Sequence, residues 1–510
     1  MTEKTVPKQT RKHTNKQIRG SGLLLSGRFL AIAINLLTQV LIVRHFSKVD
    51  YGVFAYTLAL VNMASTLNRF GMERAVARFT PIYEENNDPA SAAGAVVLAV
   101  ATMAALGFAI VALVIGFSSL LSDTFIENPA VINILIVLIA LAPVDAFDEL
   151  LQALFAAFGK ARVLFLRQHV IGPCLKLAAI ALTIAISGDI HTLAIATVFG
   201  GVLGIFLYGV LLPKVLREHK LIQYFQPGMF RIEYRRLFRY SMPVFTADMA
   251  SALRLVLVFS ILEHFHNLSN VADYRAVMPV ARLNSVVLMS FSILFLPMAA
   301  RLFAQKNTAL LGEMQSHVAL WVTILSFPVF AACISLAEPL IVLLLGERYL
   351  SAAPILAILA VGYFFQAALG LNRQTLRALG KVRALLYIEI IATITVVIVT
   401  LMLAPKFGAI GGAIATTVTM IFYSTLNTIA LWRFTGNNPL PWLYAKVYLL
   451  AAACALGLWL AKPLLGIDSI LMSILLTGLT SMIVIFSCWK LLHFAEIFPE
   501  VMRFFRSTRR

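Results

Sequence analysis

The chain has 510 residues, of which 60% are hydrophobic and 13% are charged. An average soluble domain is about 45–50% apolar and about 25% charged, so a water-soluble chain of this length could not bury so much apolar surface. This composition excludes a cytosolic enzyme, a secreted disulfide scaffold and a disordered protein, and it predicts an integral membrane protein. Lys and Arg outnumber Asp and Glu by 42 to 24, a net charge of +18. The positions of these basic residues decide the expected orientation in the membrane.

Apolar stretches long enough to cross a bilayer recur along the chain. A transmembrane helix needs about 20 mainly apolar residues, and fourteen such stretches predict fourteen spans. They lie near residues 21–43, 52–70, 90–116, 130–155, 164–187, 190–212, 238–262, 276–300, 317–345, 351–372, 384–404, 409–432, 446–465 and 468–490. Residues 1–20 are basic, and no signal-peptide cleavage site follows the first apolar stretch. These residues are therefore predicted to form a disordered cytoplasmic tail.

Basic residues are distributed unevenly between the two sides of the membrane. With a cytoplasmic N-terminus, the cytoplasmic segments hold 31 of the 42 Lys and Arg residues, the opposite loops 6 and the spans 5. Cytoplasmic loops carry such an excess of positive charge, so both termini are expected in the cytoplasm and the number of spans is even.

Three short sequence elements return later in the chain at nearly constant offsets of 221, 219 and 223 residues. They are Gly159-Lys160-Ala161-Arg162 with Gly380-Lys381-Val382-Arg383, Ala194–Thr197 with Ala413–Thr416, and Asp50-Tyr51 with Asp273-Tyr274. The repeated unit contains six spans, an even number, so both copies enter the membrane in the same direction. The predicted fold class is an all-α polytopic membrane protein with two parallel six-helix repeats and two C-terminal helices.

This repeat predicts a particular organisation of the chain. An N-lobe at 21–212 is followed by a cytoplasmic linker at 213–237 and a C-lobe at 238–432. Residues 433–510 then contain spans 13 and 14 and a basic cytoplasmic tail.

Several cationic and amide side chains lie inside the predicted spans. Ionisable groups there cost on the order of 2.5–3.5 kcal/mol on insertion scales, so they normally face an interior cavity. Arg28, Asn35 and Gln39 share one face of the first span. Arg254 lies deep in the seventh span and Arg282 lies in the eighth. These residues are candidates for binding a substrate, with pairing to a neighbouring helix as the alternative for Arg282.

Acidic residues in two spans are candidates for ion coupling. Asp145, Asp148 and Glu149 lie on one face of the fourth span, and Asp248 lies in the seventh. Carboxylates at such positions can carry a proton or hold a cation. For Asp148 and Glu149 the alternative is a solvated helix end paired with Lys160 or Arg162. For Asp248 it is an ion pair to another helix. Glu389, isolated in the eleventh span, is expected to have a structural partner.

No catalytic motif occurs in the sequence. Walker, GxSxG and HExxH patterns are missing, and the four cysteines show no metal-ligand spacing. We therefore expect no enzymatic activity, metal or cofactor, and an H⁺ or Na⁺ gradient would supply the energy.

Several segments resemble one known family over essentially the whole chain. They are Gly22–Arg28, Asn35–Gln39, Val43–Gly52, the Gly-Lys-x-Arg elements at 159–162 and 380–383, and Gly408–Gly412. They resemble the polysaccharide transporter, or oligosaccharide flippase, family of the multidrug/oligosaccharidyl-lipid/polysaccharide (MOP) exporter superfamily. The resemblance implies two six-helix lobes around a central cavity that opens alternately to each leaflet.

The resemblance also implies a substrate and a site. The expected cargo is an oligosaccharide on a polyprenyl diphosphate, moved to the outer leaflet of the bacterial inner membrane for O-antigen, capsule or exopolysaccharide synthesis. Expected partners are membrane lipids, a polysaccharide polymerase and glycosyltransferases, with no nucleic acid. A cationic cavity role carries over to Arg28 and Arg254, since guanidinium binds phosphate oxygens.

Two other functions fit parts of the sequence less well. An ion-coupled drug or cation antiporter of the same fold would favour acidic and aromatic cavity residues and twelve spans. A membrane-embedded polymerase or glycosyltransferase would need a large outer loop or a nucleotide-sugar domain, and the sequence has neither.

Overall fold

A computed structural model describes residues 8–124, 128–219, 221–226, 228–305, 307–436, 442–464 and 470–491. Over these ranges the protein is helical and contains no strand, which confirms the predicted all-α polytopic fold. Within them, nine helices are long and apolar enough to cross a membrane, or ten if the bent pair Pro129–Leu138 and Leu141–Ala157 forms one span. The count of fourteen spans stays a prediction.

The α-helices follow one another with short connections. In chain order they are α1 (Lys8–His45), α2 (Lys48–Arg69), α3 (Met72–Glu85), α4 (Pro89–Gly116), α5 (Ser118–Thr124), α6 (Pro129–Leu138), α7 (Leu141–Ala157), α8 (Ala161–Phe165), α9 (Gly172–Ala185), α10 (Ile190–Gly209), α11 (Leu212–Glu218), α12 (Tyr234–Phe265), α13 (Leu268–Ala281), α14 (Asn284–Ala304), α15 (Thr308–Ser335), α16 (Ala337–Leu345), α17 (Ala353–Ala368), α18 (Asn372–Ala378), α19 (Val382–Thr435), α20 (Trp442–Leu464) and α21 (Ile470–Leu491). A π-helix at Leu166–Ile171 joins α8 to α9, and 3₁₀ turns occur at Ile222–Phe225 and Glu347–Ala352.

One compact unit consists of Met1–Ala276 and Val382–Gly412, and we call it unit 1. Within it α2 packs against α6, α7 and α12, while α10 packs against α6, α7 and α9. A buried apolar core joins α3, α4 and α7 and includes Met72, Met103 and Phe155. Unit 1 contains every candidate binding or coupling residue selected from the sequence except Arg282.

The other compact unit consists of Val277–Lys381 and Ala413–Arg510, and we call it unit 2. Its α15 packs against α14, α17, α20 and α21. The Tyr448 hydroxyl of α20 donates to the Ala368 carbonyl at 2.8 Å, and the Ser335 and Thr477 hydroxyls lie 2.5 Å apart. The two C-terminal helices therefore join unit 2 through hydrogen bonds as well as apolar contacts. The lobe boundaries expected from the repeat stay a prediction.

Two helices differ in length from the predicted spans. Helix α1 begins at Lys8, so residues 8–20, predicted as a disordered tail, are helical, and residues 1–7 lie outside the described ranges. Lys, Arg and Gln are good helix formers, which allows the helix to continue N-terminally. Helix α19 breaks at Gly408, where φ is 54° and ψ is −133°. This break falls between the predicted spans 384–404 and 409–432.

The repeated Gly-Lys-x-Arg elements form the same helix-ending turn at both places. Gly159 and Gly380 have left-handed φ values of 65° and 71°. The Lys160 amide donates to the Phe155 carbonyl and the Lys381 amide to the Leu376 carbonyl, each at 2.9 Å. Glycine adopts this conformation without strain, which explains its position in both copies.

The segment between α11 and α12 is anchored to α3 and α4 in unit 1. The Arg231 amide donates to the Ala90 carbonyl at 3.0 Å, and the Tyr83 hydroxyl donates to Glu233 at 2.8 Å. Burial, together with the nearby Glu233 carboxylate, raises the pKa of Tyr83 to about 12. A Cβ atom at Gly94 would lie 2.0 Å from the Arg231 carbonyl oxygen, so only glycine permits this approach.

The substitution Gly94→Ala should therefore displace this segment from α4 and destabilise unit 1. Backbone atoms cannot move aside cheaply, so we expect a lower apparent melting temperature of the purified protein in detergent. Gly116→Ala in the same helix is the matched control, since a Cβ atom there meets no other atom within 4 Å. Equal melting temperatures for the two variants would contradict the close approach.

Candidate functional site

The acidic residues of α7 have different surroundings in unit 1. Asp148 accepts hydrogen bonds from Arg167 Nε at 2.9 Å and from Gln152 Nε2 at 2.8 Å. Glu149 is exposed and lies 3.8 Å from Arg69 of α2. The expected partners Lys160 and Arg162 are not the ones these carboxylates contact. The turn at Gly159 places Lys160 against Glu218 of α11 instead.

Asp145 lies one turn before Asp148 on the same face of α7. It is exposed, and it forms no hydrogen bond or ion pair with any residue that the structure describes. Lys176 of α9 and Arg69 of α2 are close enough to act on it electrostatically. Of the two exposed carboxylates of α7, Asp145 and Glu149, Asp145 is therefore the one without an ion pair to a described residue.

The cation that holds Asp148 comes from the π-helix. Arg167 lies at the edge of the predicted span 164–187, where it counts among the cytoplasmic basic residues, and the structure places it within the apolar helix Ala161–Ala185. Its guanidinium passes beside Gly204 of α10, where a Cβ atom would lie 2.9 Å from Nη2. The Tyr208 hydroxyl in the same region is buried and has no hydrogen-bond partner among the described residues. A wider π turn is frequent at functional sites because it reorients side chains.

Arg28 lies in α1 where that helix packs against α8 and the π-helix. A Cβ atom at the adjacent Gly27 would come within 2.3 Å of the Phe165 ring, so the close packing depends on glycine. Arg28 is half-buried and interacts electrostatically with His169. Asn35, further along α1, is exposed, and Gln39 donates a hydrogen bond to the Tyr51 hydroxyl. The polar face predicted in the first span thus has different surroundings along its length.

Arg254 of α12 forms an ion pair with Glu389 of α19. Nη2 of Arg254 lies 2.5 Å from Oε2 of Glu389 and 3.1 Å from the Ser251 hydroxyl. The Arg254 side chain is 19% exposed, whereas the Glu389 side chain is 1% exposed. The structural partner expected for Glu389 is therefore Arg254, a candidate that was selected for substrate binding.

The remaining two candidates pair with other elements. Asp248 lies 3.0 Å from Nε of Arg74 in α3, as its alternative interpretation expected. Arg282 lies in unit 2, where its Nε donates to the Tyr363 hydroxyl at 2.8 Å. The roles of all nine candidates in binding or coupling stay predictions.

Sequence reasoning did not select Arg167 or Tyr208 and gave Glu389 only a structural role. The run Leu166-Arg167-Gln168-His169 lies at the cytoplasmic edge of the predicted span 164–187, where basic residues are common and do not indicate a site. Glu389 and Arg254 are 135 residues apart, and no local spacing connects them.

Comparison with known proteins gives matches along most of the chain. A family described as Polysaccharide biosynthesis protein matches residues 18–303, and the MatE family matches residues 243–402. An uncharacterized membrane protein of Methanocaldococcus jannaschii is 26% identical over 420 residues, which are 79% of this chain and 82% of that protein.

Solved structures of transporters have a similar fold. The lipid II flippase MurJ in an inward closed conformation has a TM-score of 0.68 at 16% sequence identity. The match covers 92% of this chain and 99% of the MurJ chain. An inward-facing multidrug resistance MATE transporter of the MOP superfamily has a TM-score of 0.67 at 15% sequence identity. The match covers 82% of this chain and 98% of the transporter chain. At these identities the likeness concerns the fold.

Asp148→Asn should lower the melting temperature of the protein, because it leaves the Arg167 guanidinium without its carboxylate. Breaking a fully buried ion pair costs about 3–5 kcal/mol, and this pair is slightly exposed, so we expect a smaller loss. Asp145→Asn is the matched control, with the same chemical change one turn away and no ion pair to break. Thermal unfolding in detergent measures both. A loss of the same size in the control would contradict this difference between the two carboxylates.

Proposed function

Because this chain belongs to the Polysaccharide biosynthesis protein family of MOP superfamily transporters, we propose that it is a flippase for a lipid-linked oligosaccharide. It moves a polyprenyl-diphosphate-linked sugar from the cytoplasmic to the outer leaflet by alternating access. The product would serve O-antigen, capsule or exopolysaccharide synthesis in the bacterial inner membrane. Both chain termini would be cytoplasmic. Glycosyltransferases would assemble the cargo before this step, and a polymerase would use it afterwards.

The observation that carries the proposal is the partly exposed Arg254 guanidinium inside a membrane-spanning helix. A cation at this depth is costly, so it normally serves a pathway or a ligand. Guanidinium presents a planar set of N–H donors that matches the oxygens of a phosphate, and it stays protonated throughout the accessible pH range. Arg28, half-buried in α1, would provide a second cation for the same diphosphate.

The comparisons support a flippase in a second way. The MurJ flippase covers 92% of this chain and the MATE transporter covers 82%. The difference is about 50 residues, the length of two membrane-spanning helices. Helices α20 and α21, which follow the predicted C-lobe, have this combined size.

An ion-coupled multidrug or cation antiporter is the second candidate. The MatE match over residues 243–402 and the exposed carboxylate of Asp145 favour it, since an accessible acid inside a span can hold a cation. The two candidates differ in the charge of their cargo, which is anionic for the flippase and cationic for the antiporter. A transport assay with both kinds of cargo therefore separates them.

Arg28→Ala and Arg254→Ala should each strongly reduce flipping of a fluorescent polyprenyl-diphosphate oligosaccharide in proteoliposomes. A hydrogen bond to a charged group contributes about 1.5–3 kcal/mol, so we expect apparent affinity to fall by about tenfold to a hundredfold. Arg239→Ala is the matched control, because this exposed arginine lies in α12 about 22 Å along the helix from Arg254.

The flipping assay must be compared at equal amounts of reconstituted protein. Wild-type rates in both arginine variants would contradict a cationic binding site. Export of a cationic drug by the wild type, without any flipping of the diphosphate, would instead support the antiporter.

Asp145→Asn should reduce the dependence of transport on an imposed H⁺ or Na⁺ gradient, since an amide cannot take up a proton or balance a cation. Asp148→Asn, Glu149→Gln and Asp248→Asn change the same charge at positions that form ion pairs in unit 1. Transport is measured with and without each gradient in proteoliposomes. If Asp145→Asn shows the same gradient dependence as the wild type, Asp145 does not carry the coupling ion, and the role falls to another carboxylate.

A further inference from the structure

The ion pair between Arg254 and Glu389 is unequal in the exposure of its two partners. The Glu389 side chain is 1% exposed, while 19% of the Arg254 side chain remains accessible. A molecule approaching this pair therefore reaches the cation and not the anion. The Glu389 carboxylate occupies a position on the guanidinium that a phosphate oxygen would also seek, because both are anionic acceptors for the same N–H donors.

Helices α12 and α19 are also joined beside the ion pair by a contact that does not involve these charges. The Thr393 hydroxyl lies 3.0 Å from the Ala250 carbonyl of α12 and 2.9 Å from the Glu389 carbonyl of its own helix. Both contacts use backbone carbonyls, so they persist when the Glu389 side chain is changed. The ion pair is therefore not the only contact between the two helices, and it can exchange partners while they stay packed.

From this geometry we infer that Glu389 is an internal counter-anion that holds Arg254 between transport cycles, and that the diphosphate of the substrate displaces it. This inference rests on the proposed function and adds a residue that sets the affinity for the cargo. A permanent competitor weakens binding of the diphosphate and thereby allows the cargo to leave at the outer leaflet. It also neutralises Arg254 while the empty transporter returns, so the return moves no uncompensated charge from this site across the membrane potential.

Glu389→Gln tests the inference, because the amide keeps the size of the side chain and removes its charge. We expect equilibrium binding of farnesyl diphosphate to the full chain in nanodiscs to tighten by about tenfold, with slower flipping caused by slower release. Glu233→Gln is the matched control. It removes a carboxylate that pairs with Arg236 at 3.1 Å, just before the start of α12, and it should leave binding unchanged.

Two further variants keep the test decisive. In an Arg254→Ala background, Glu389→Gln should no longer tighten binding, since the competition acts through the guanidinium. If Glu389→Gln fails to fold, Glu389→Asp withdraws the carboxylate by one methylene group and should tighten binding to a smaller extent.

The outcomes separate this inference from the proposed function. Unchanged or weaker diphosphate binding in the folded Glu389 variants, with normal binding by the wild type, overturns the counter-anion role and leaves the flippase proposal standing. Tightening that persists in the Arg254→Ala background overturns it as well. Absence of diphosphate binding in the wild type and in every variant overturns the proposed function, and the inference with it.

Discussion

A charge inside a bilayer is costly unless a nearby group or a water-filled cavity stabilises it, because the hydrocarbon core offers no water to solvate it. In unit 1 this requirement is met by pairs that join separate helices, as in Asp148 with Arg167 and Arg254 with Glu389. Apolar side chains between two membrane helices allow several registers, since lipid is as apolar as they are. An ion pair between two helices allows a single register. These pairs therefore help to define which turn of one helix faces which turn of the next.

Much of the fold was predictable from the sequence, because the membrane imposes simple rules on it. Long apolar stretches indicate helices, and the break in α19 was predictable as a boundary at Gly408. The repeated Gly-Lys-x-Arg elements indicated equivalent places in two halves, and both contain the same left-handed glycine turn. The start of α1 at Lys8 was not predictable in this way, because polar residues that precede a span can be either helical or extended.

The candidate site was predictable as a set of residues but not as a set of partners. A charge in an apolar stretch is visible in the sequence, which is how Arg254, Asp145 and Asp148 were selected. The partner of each charge depends on which helices are neighbours, and composition and spacing do not contain that information. Arg167 shows the limit most clearly. With its polar neighbours Gln168 and His169 it falls at the edge of a predicted span, where a basic residue is ordinary, whereas the chain accommodates all three in a π turn within an apolar helix.

The fold alone does not decide between an anionic and a cationic cargo, since flippases and multidrug transporters share it at similar TM-scores. The difference must come from which partner of each intramembrane pair remains accessible. At the pair of Arg254 and Glu389 the more accessible partner is the cation, which under the proposed function would attract an anion. On α7 the exposed Asp145 carboxylate, which forms no ion pair with any described residue, would take up a proton or a cation in the proposed mechanism. A transporter that exports an anion at the expense of an ion gradient needs one accessible site of each sign. Under the proposed function, Arg254 and Asp145 would supply these two sites on different helices of unit 1.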